Sequence, residues 1–212
     1  MERNKSRDIA SLAGAAVLVV LECIGMVLSF QELNVGMFRY YTILSNGFML
    51  LSAAIWGVYT GEKLRDGFDI PGWVRFLKYA ATATVLLTFV VVCAVLAPRE
   101  EDYFSLLTQG SFLYTHLLCP LVAAVTFLAL DAEPEVKPAY VGLSLLPTVL
   151  YAAVAMVLNI LGVWYGPYDF LHVYEQPVWL SVLWGVAMLL VSLLLAALLY
   201  RGSKKLHREY VY

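Results

Sequence analysis

The sequence predicts an all-α integral membrane protein, a bundle of six transmembrane helices with both termini in the cytoplasm. The 212 residues are 61% hydrophobic and only 14% charged, and their mean hydropathy is +0.76. A soluble globular domain usually has about 25% charged residues. Six apolar runs are each long enough for the roughly 20 residues that a spanning helix needs. Helices are expected because the bilayer offers the backbone no water to bond.

Helix breakers separate the six runs. The first run, at about residues 9–30, follows a charged segment as in a signal peptide, but it is long and no small-residue cleavage site closes it. A retained first span is therefore expected. Glycines and prolines at 61–72, 98, 134–138 and 166–177 mark the other limits. The remaining spans are predicted at about 40–60, 74–97, 109–130, 139–164 and 177–200, which makes residues 1–212 one six-span membrane domain.

The distribution of basic residues predicts the orientation. If the N-terminus is inside, 12 of the 14 Lys and Arg residues lie in inner segments, and only Arg39 and Arg99 lie outside. This asymmetry follows the positive-inside rule, so both termini are predicted to be cytoplasmic, most simply in the plasma membrane. Arg75 and Lys78 begin the third span and are expected to extend their charged groups to the lipid headgroups.

Polar side chains in the spans collect in the predicted outer half. Thr42, Ser45 and Asn46 follow each other at helical spacing on one face of the second span. The other polar residues predicted to belong to this group lie at similar depth in other spans or in the outer link between the fifth and sixth spans. They are Glu22, His116, Cys119, Asn159, Asp169 and His172. Ionisable groups in a bilayer normally face the bundle interior or a water-filled cavity. We therefore expect one polar pocket in the outer half.

Two chemistries compete for this pocket. A histidine beside a hydroxyl can act as general base for a nucleophile, which makes His116 and Thr42 a candidate pair. Both side chains also have a structural interpretation, since such groups often bond their own backbone or a neighbouring helix. Cys119 is a second candidate nucleophile, although a buried cysteine is more often inert.

Several polar residues are candidates for supporting roles. Ser45 and Asn46 are candidate hydrogen-bond donors to an oxyanion. Arg39 could hold a substrate carboxylate or anchor headgroups. Glu22 could orient His116, pair with Arg39, or clamp two helices together.

The sequence also argues against other classes of site. Cys23, Cys93 and Cys119 lie inside apolar runs, so they are expected to be free thiols. A three-histidine zinc site is excluded, because one of the three histidines lies in the inner tail. No phosphate-binding glycine loop and no basic aromatic patch is present, so no cofactor, metal or nucleic acid is expected. The oligomeric state is open, because Gly14, Gly25 and Gly185 permit close helix packing within or between chains.

Three segments resemble a known family. They are FRYYTILSN at 38–46, LYTHLLCPLVAAV at 113–125 and LGVWYGPYDFLHV at 161–173. Together they are similar to the androgen-induced protein and androgen-dependent TFPI-regulating protein family. The TILSN motif is closer to the sequences of the bacterial relatives of this family. The resemblance implies six spans with cytosolic termini and a threonine hydrolase that cleaves fatty acid esters of hydroxy fatty acids. It implies Thr42 as the nucleophile and His116 as the essential histidine.

The leading functional hypothesis is therefore an intramembrane threonine hydrolase of lipid esters, with its substrate arriving from the bilayer. The alternative is a non-catalytic protein that binds a lipid or small hydrophobic ligand in an outer-leaflet polar pocket. A small transporter is less favoured, because no glycine–proline pair interrupts corresponding spans in both halves.

Overall fold

A computed structural model of the chain describes residues 2–131 and 136–211, with side chains from residue 5 to residue 206. The predicted break at Pro134 lies outside these ranges. Six helices are long and apolar enough to cross a membrane, which confirms the predicted six-helix membrane architecture. They are Lys5–Arg39, Tyr41–Asp66, Gly72–Arg99, Leu113–Asp131, Ala139–Ile160 and Val178–Leu206.

The regular helices are interrupted at several points, and prolines accompany three of the interruptions. The first, second and sixth spans contain α-helices at Glu2–Leu33, Tyr41–Asp66 and Val178–Val211. The third is α-helical at Gly72–Val91, π-helical at Val92–Leu96 and 3₁₀ at Ala97–Arg99. The fourth is π-helical at Leu113–Leu118, α-helical at Cys119–Thr126 and π-helical at Phe127–Asp131, and the fifth divides into Ala139–Leu143 and Leu146–Ile160. Pro98, Pro120 and Pro147 lie at or just after these interruptions, because proline has no N–H for the carbonyl four residues earlier.

The first, second and sixth spans extend beyond their predicted ends at 30, 60 and 200, whereas two predicted limits lie several residues outside the helices. The fourth span begins at Leu113 and not at 109, because Ser105–Thr108 forms a separate short helix and Gly110 reverses the chain at φ +52°. The fifth span ends at Ile160 and not at 164, because Gly162 adopts φ +66°. Glycine is favoured at such helix ends because it has no Cβ to clash.

Consecutive spans run antiparallel, so their links gather at two ends of the bundle. We call one the cavity end; it holds the links 34–40, 97–112 and 161–177. The 3₁₀ turns Asn34–Arg39 and Asp169–Leu171 lie in the first and last of these links. The opposite end holds the link 67–71, residues 136–138, and the outer ends of the first and last helices, Glu2–Leu33 and Val178–Val211.

Small residues let the helices of the bundle approach closely. A Cβ on Gly14 would lie 2.8 Å from the Thr126 methyl group, and one on Gly25 would lie 3.1 Å from that of Thr115. The first and fourth spans are therefore in close contact at two levels. Leucine and valine side chains on the fifth and sixth spans stay exposed, as expected where a helix faces lipid hydrocarbon.

A buried ion pair joins the spans near the opposite end. Lys78 does not reach the headgroups as predicted: its side chain is 0% exposed, and Nζ lies 3.3 Å from Oδ2 of Asp131, which is 1% exposed. Ser11 donates to Oδ1 of Asp131 at 2.5 Å, and the indole N–H of Trp56 donates to Ser11 at 2.9 Å. Lys78 turns inward because an acidic partner lies opposite it, and four spans are thereby connected.

Candidate functional site

A cavity of about 480 Å³ opens between the spans at the cavity end. We call it the polar cavity. Three of the predicted site residues, Thr42, His116 and Asp169, contribute to its wall. The full wall comprises Ser29, Glu32, Leu33, Tyr40, Thr42, Ile43, Leu96, Arg99, Glu100, Leu106, Ser111, Phe112, Thr115, His116, Pro167, Tyr168 and Asp169.

Thr42 lies in the first turn of the second span. The preceding Tyr40 is extended, with φ −88° and ψ 132°, and no side chain of its own caps the helix that begins at Tyr41. The first backbone N–H groups of a helix have no partner within the helix, and they carry partial positive charge. The Thr42 side chain is 7% exposed, which leaves it at the cavity wall beside groups that favour a nearby negative charge.

His116 is fixed in orientation by a backbone carbonyl. Its Nδ1 lies 2.6 Å from the carbonyl oxygen of Leu106. Because a carbonyl only accepts hydrogen bonds, Nδ1 carries the proton, and in the neutral ring Nε2 is the acceptor. The ring also stacks on Phe112 with 4.9 Å between centroids and 7° between planes. A fixed ring whose Nε2 is an acceptor is the form that a general base requires.

Asn46 sets the spacing between the turns that carry Thr42 and His116. Its Nδ2 donates to the Thr42 carbonyl at 2.7 Å and to the Thr115 carbonyl at 3.0 Å. Thr115 directly precedes His116, so one amide nitrogen bridges the backbones of the two elements. Within the described residues, no hydrogen bond joins the Thr42 and His116 side chains directly; they meet across the polar cavity.

The rest of the predicted polar face of the second span bonds neighbouring helices. Ser45 donates to the Thr42 carbonyl at 2.9 Å, and its oxygen is 2.9 Å from the Thr88 hydroxyl. Ser45 and Asn46 both lie behind the wall of the polar cavity. Their hydrogen-bond donors are therefore engaged in holding helices together.

The arginine at the polar cavity is Arg99. Arg39 is exposed outside the wall, and its carbonyl accepts from the Tyr151 hydroxyl at 2.9 Å. Nη1 of Arg99 lies 3.3 Å from Oδ2 of Asp169, with side chains 47% and 80% exposed. This pair stands at the mouth of the polar cavity, where an anionic group could exchange for Asp169.

Glu22 and Cys119 lie together below the polar cavity. Glu22 is fully buried, and among the described residues its two oxygens have no partner that meets hydrogen-bond geometry. Its carboxyl group has a polar contact with the thiol of Cys119, which is also fully buried. Neither residue contributes to the wall of the polar cavity, and within the described residues Glu22 forms no hydrogen bond with either partner considered for it, Arg39 or His116.

Asn159 and His172 fasten the link 161–177. Oδ1 of Asn159 accepts from the Val173 N–H at 3.3 Å, and the reversed amide would likewise reach backbone atoms of this link. Nε2 of His172 lies 2.8 Å from the Gly166 carbonyl oxygen. Both residues lie outside the cavity walls, and they hold the segment that brings Tyr168 to the site.

A second cavity of about 360 Å³ lies beside the first, among the second, third, fifth and sixth spans. We call it the apolar cavity. Most of its wall is leucine, valine, alanine, methionine and aromatic side chain. The wall comprises Tyr41, Thr42, Leu87, Thr88, Val91, Val92, Leu96, Thr148, Val149, Tyr151, Ala152, Ala153, Met156, Tyr168, Phe170, Leu171, Ser181, Trp184, Gly185, Met188 and Leu189. Its size is that of an ordinary small-ligand pocket, for which roughly 300–1,000 Å³ is typical.

Sequence reasoning missed four groups of the site. The Leu106 carbonyl has no side-chain signal at all. Glu32 accepts a hydrogen bond from the Ser111 hydroxyl at 2.5 Å. In the sequence it follows a long apolar run, which gave no indication of a pocket. Arg99 was visible as one of two outer arginines, and Tyr168 as one of many aromatics in its link.

Comparison with known proteins adds no relative. No protein-family model, no curated protein and no solved structure matches this chain. The resemblance to the androgen-induced protein family therefore stays a prediction that rests on short motifs.

Proposed function

We propose that the chain is an intramembrane hydrolase of lipid acyl esters, with Thr42 as the nucleophile and His116 as the general base. The observation that supports this best is the position of Thr42. It belongs to the wall of the polar cavity, which contains His116, and also to the wall of the apolar cavity. An ester with one apolar and one polar part would place its carbonyl group between the two.

The reaction follows from the fixed histidine. Nε2 of His116 takes the proton of Thr42 as the threonine oxygen attacks the ester carbonyl carbon. The intermediate then collapses, the bond to the leaving alcohol breaks, and His116 returns the proton to that alcohol. Water, activated by the same nitrogen, hydrolyses the acyl-threonine and releases the fatty acid.

The oxyanion is best placed at the N-terminal turn of the second span. Ser45 and Asn46 were predicted as its donors, but their hydrogen bonds go to backbone carbonyls and to Thr88. The backbone N–H groups of the first helical turn point along the helix axis and favour negative charge, and the backbone of Tyr41 and Thr42 contacts the Tyr168 hydroxyl at the cavity wall. These N–H groups are adjacent to the Thr42 hydroxyl because Thr42 belongs to the same turn.

The substrate class follows from the two cavities. The acyl chain occupies the apolar cavity and the alcohol part occupies the polar cavity, as in a fatty acid ester of a hydroxy fatty acid or a similar ester. A free carboxylate on the alcohol part would pair with Arg99, which lies at the mouth, in place of the predicted Arg39. Exposed apolar faces of the fifth and sixth spans allow entry from the bilayer.

We also propose that the cavity end faces outward, with both termini cytoplasmic and the protein in the plasma membrane. The links at the cavity end contain two of the 14 basic residues, Arg39 and Arg99, whereas the others belong to the opposite end. This bias follows the positive-inside rule.

Hydrolysis of defined esters by the purified protein in detergent tests the function. Fatty acid release would be measured from p-nitrophenyl esters and from esters of hydroxy fatty acids, for wild type, Thr42→Ala and His116→Ala. Both variants should lose turnover. Thr60→Ala is the matched control, because Thr60 donates to the Trp56 carbonyl of its own helix, far from both cavities. Wild type that binds fatty acids but hydrolyses none of these esters would favour the non-catalytic lipid-binding alternative.

A further inference from the structure

The two cavities share only a short stretch of wall. Within the described residues, Thr42, Leu96 and Tyr168 belong to the walls of both. An ester that extends through both cavities must pass these three side chains at its carbonyl group. Leu96 has no polar atom, so Tyr168 offers the second polar side chain at this position.

Tyr168 is held firmly in place. Its side chain is 9% exposed, its ring meets the edge of Tyr40 at 6.2 Å between centroids, and it lies parallel to Phe170 at 5.1 Å. The hydroxyl has polar contacts with the Thr42 side chain and with the backbone of Tyr41 and Thr42. The phenol therefore faces both the proposed nucleophile and the first turn of its helix.

We propose that Tyr168 is a further catalytic residue of the hydrolase proposed above, on which this inference rests: its hydroxyl donates a hydrogen bond to the carbonyl oxygen of the bound acyl ester. As the Thr42 oxygen forms its bond to the carbonyl carbon, the C=O electron pair moves onto that oxygen. The Thr42 proton goes to Nε2 of His116. Tyr168 keeps its own proton throughout, and its O–H group donates to the developing oxyanion.

The protonation state of Tyr168 suits a donor. Burial in the link raises the pKa of Tyr168 to about 12, and the contact with the Thr42 side chain acts in the opposite direction with less effect. The phenol is therefore protonated at neutral pH. A donor that is already aimed at the site needs no reorganisation when charge develops, which is why such groups accelerate acyl transfer.

The test compares Tyr168→Phe with Tyr165→Phe in the full chain. The first variant removes one hydroxyl at the meeting point of the cavities. The second removes the hydroxyl of Tyr165, which bonds Glu175 in the same link and lies outside both cavity walls. Steady-state hydrolysis of p-nitrophenyl decanoate would give kcat and KM for both, and thermal unfolding would confirm that both fold.

Tyr168→Phe should lower kcat by about 10²- to 10³-fold, the usual effect of losing one oxyanion donor, with KM close to that of wild type. Tyr165→Phe should keep the wild-type kcat. Unchanged kcat in Tyr168→Phe, or a raised KM alone, would overturn the role of Tyr168. If hydrolysis still needed Thr42, the proposed function would nevertheless be upheld. Wild type without any Thr42-dependent hydrolysis would overturn both.

A fluorotyrosine at position 168 covers the case in which Tyr168→Phe fails to fold. Ring fluorination keeps the shape of the side chain and lowers the pKa of its hydroxyl. A donor must be protonated, so kcat should fall at a lower pH than in wild type as pH rises through the lowered pKa. A high-pH limb that does not move would contradict a catalytic role for Tyr168.

Discussion

The buried pair of Lys78 and Asp131 predicts a large and specific loss of stability in Asp131→Asn. The two charges are 3.3 Å apart and almost completely removed from solvent. With an effective dielectric constant of about 20, unit charges at that distance attract each other by about 5 kcal/mol. Desolvation offsets much of this attraction in the intact pair, but removal of one partner leaves the other buried and uncompensated. The expected loss is about 3–5 kcal/mol in the free energy of unfolding.

Thermal unfolding in detergent, followed by a thiol-reactive dye, measures this loss directly. Cys119 is fully buried, so its labelling reports unfolding in a background in which the exposed Cys23 and the half-buried Cys93 are replaced by alanine. At about 2–4 °C per kcal/mol, Asp131→Asn should lower Tm by about 6–20 °C. The matched control is Asp66→Asn, which breaks a 2.6 Å contact with Arg65 between exposed side chains. Such surface pairs contribute about 0–1 kcal/mol, so its Tm should hardly change.

A double variant tests whether the loss of stability comes from an uncompensated buried charge or from the lost attraction between Lys78 and Asp131. Lys78→Met with Asp131→Leu removes both charges and keeps apolar volume, so its stability should be close to that of wild type or above it. Equal Tm losses in Asp131→Asn and Asp66→Asn would refute the reasoning from burial. A double variant as unstable as the single variant would refute the assignment of the loss to an uncompensated charge.

Three further predictions concern the cavities and the core. Gly185→Leu should reduce hydrolysis of long-chain esters and spare short-chain ones. A Cβ at Gly185 meets no atom within 4 Å, so the new side chain would project into the apolar cavity. A series of p-nitrophenyl esters of increasing acyl length tests this, and an equal loss of activity at all lengths would contradict it. Glu22→Met should raise the free energy of unfolding by about 1–3 kcal/mol, since it replaces a fully buried carboxyl group whose polar contact is the Cys119 thiol, a weak hydrogen-bond partner. A lower Tm would show that the carboxyl group has a stabilising partner. Arg99→Ala should raise KM for esters with a free carboxylate more than for neutral esters, whereas Arg39→Ala should not distinguish them; the reverse order would restore Arg39 as the carboxylate partner.

The architecture could be predicted because it depends on average properties. Membrane spans are long, and their apolar composition persists whatever each residue contacts, so six runs predicted six helices. The exact limits depended on local features, such as the positive φ at Gly110 and Gly162, which hydropathy does not report.

The candidate site could be predicted only in part, because depth along a helix does not give the direction of a side chain. Thr42 and His116 were placed at one level, and the structure brings both to one cavity. Asn46 was at that level too, but its amide turns towards Thr115 of the fourth span. Glu22 turns towards Cys119 in the core, away from the cavity. In each case the contact with a neighbouring helix decides the direction of the side chain. A single sequence contains no direct signal for such contacts between helices.

The most direct measurement of the central claim is the site of covalent labelling by a fluorophosphonate probe. The proposed mechanism predicts a phosphonyl adduct on the Thr42 oxygen of the folded wild-type protein, located by mass spectrometry of its peptides. His116→Ala should abolish that adduct, because the threonine would lose its base, and Thr60→Ala should retain it. Labelling at Cys119 instead, or labelling at Thr42 that persists in His116→Ala, would contradict the account.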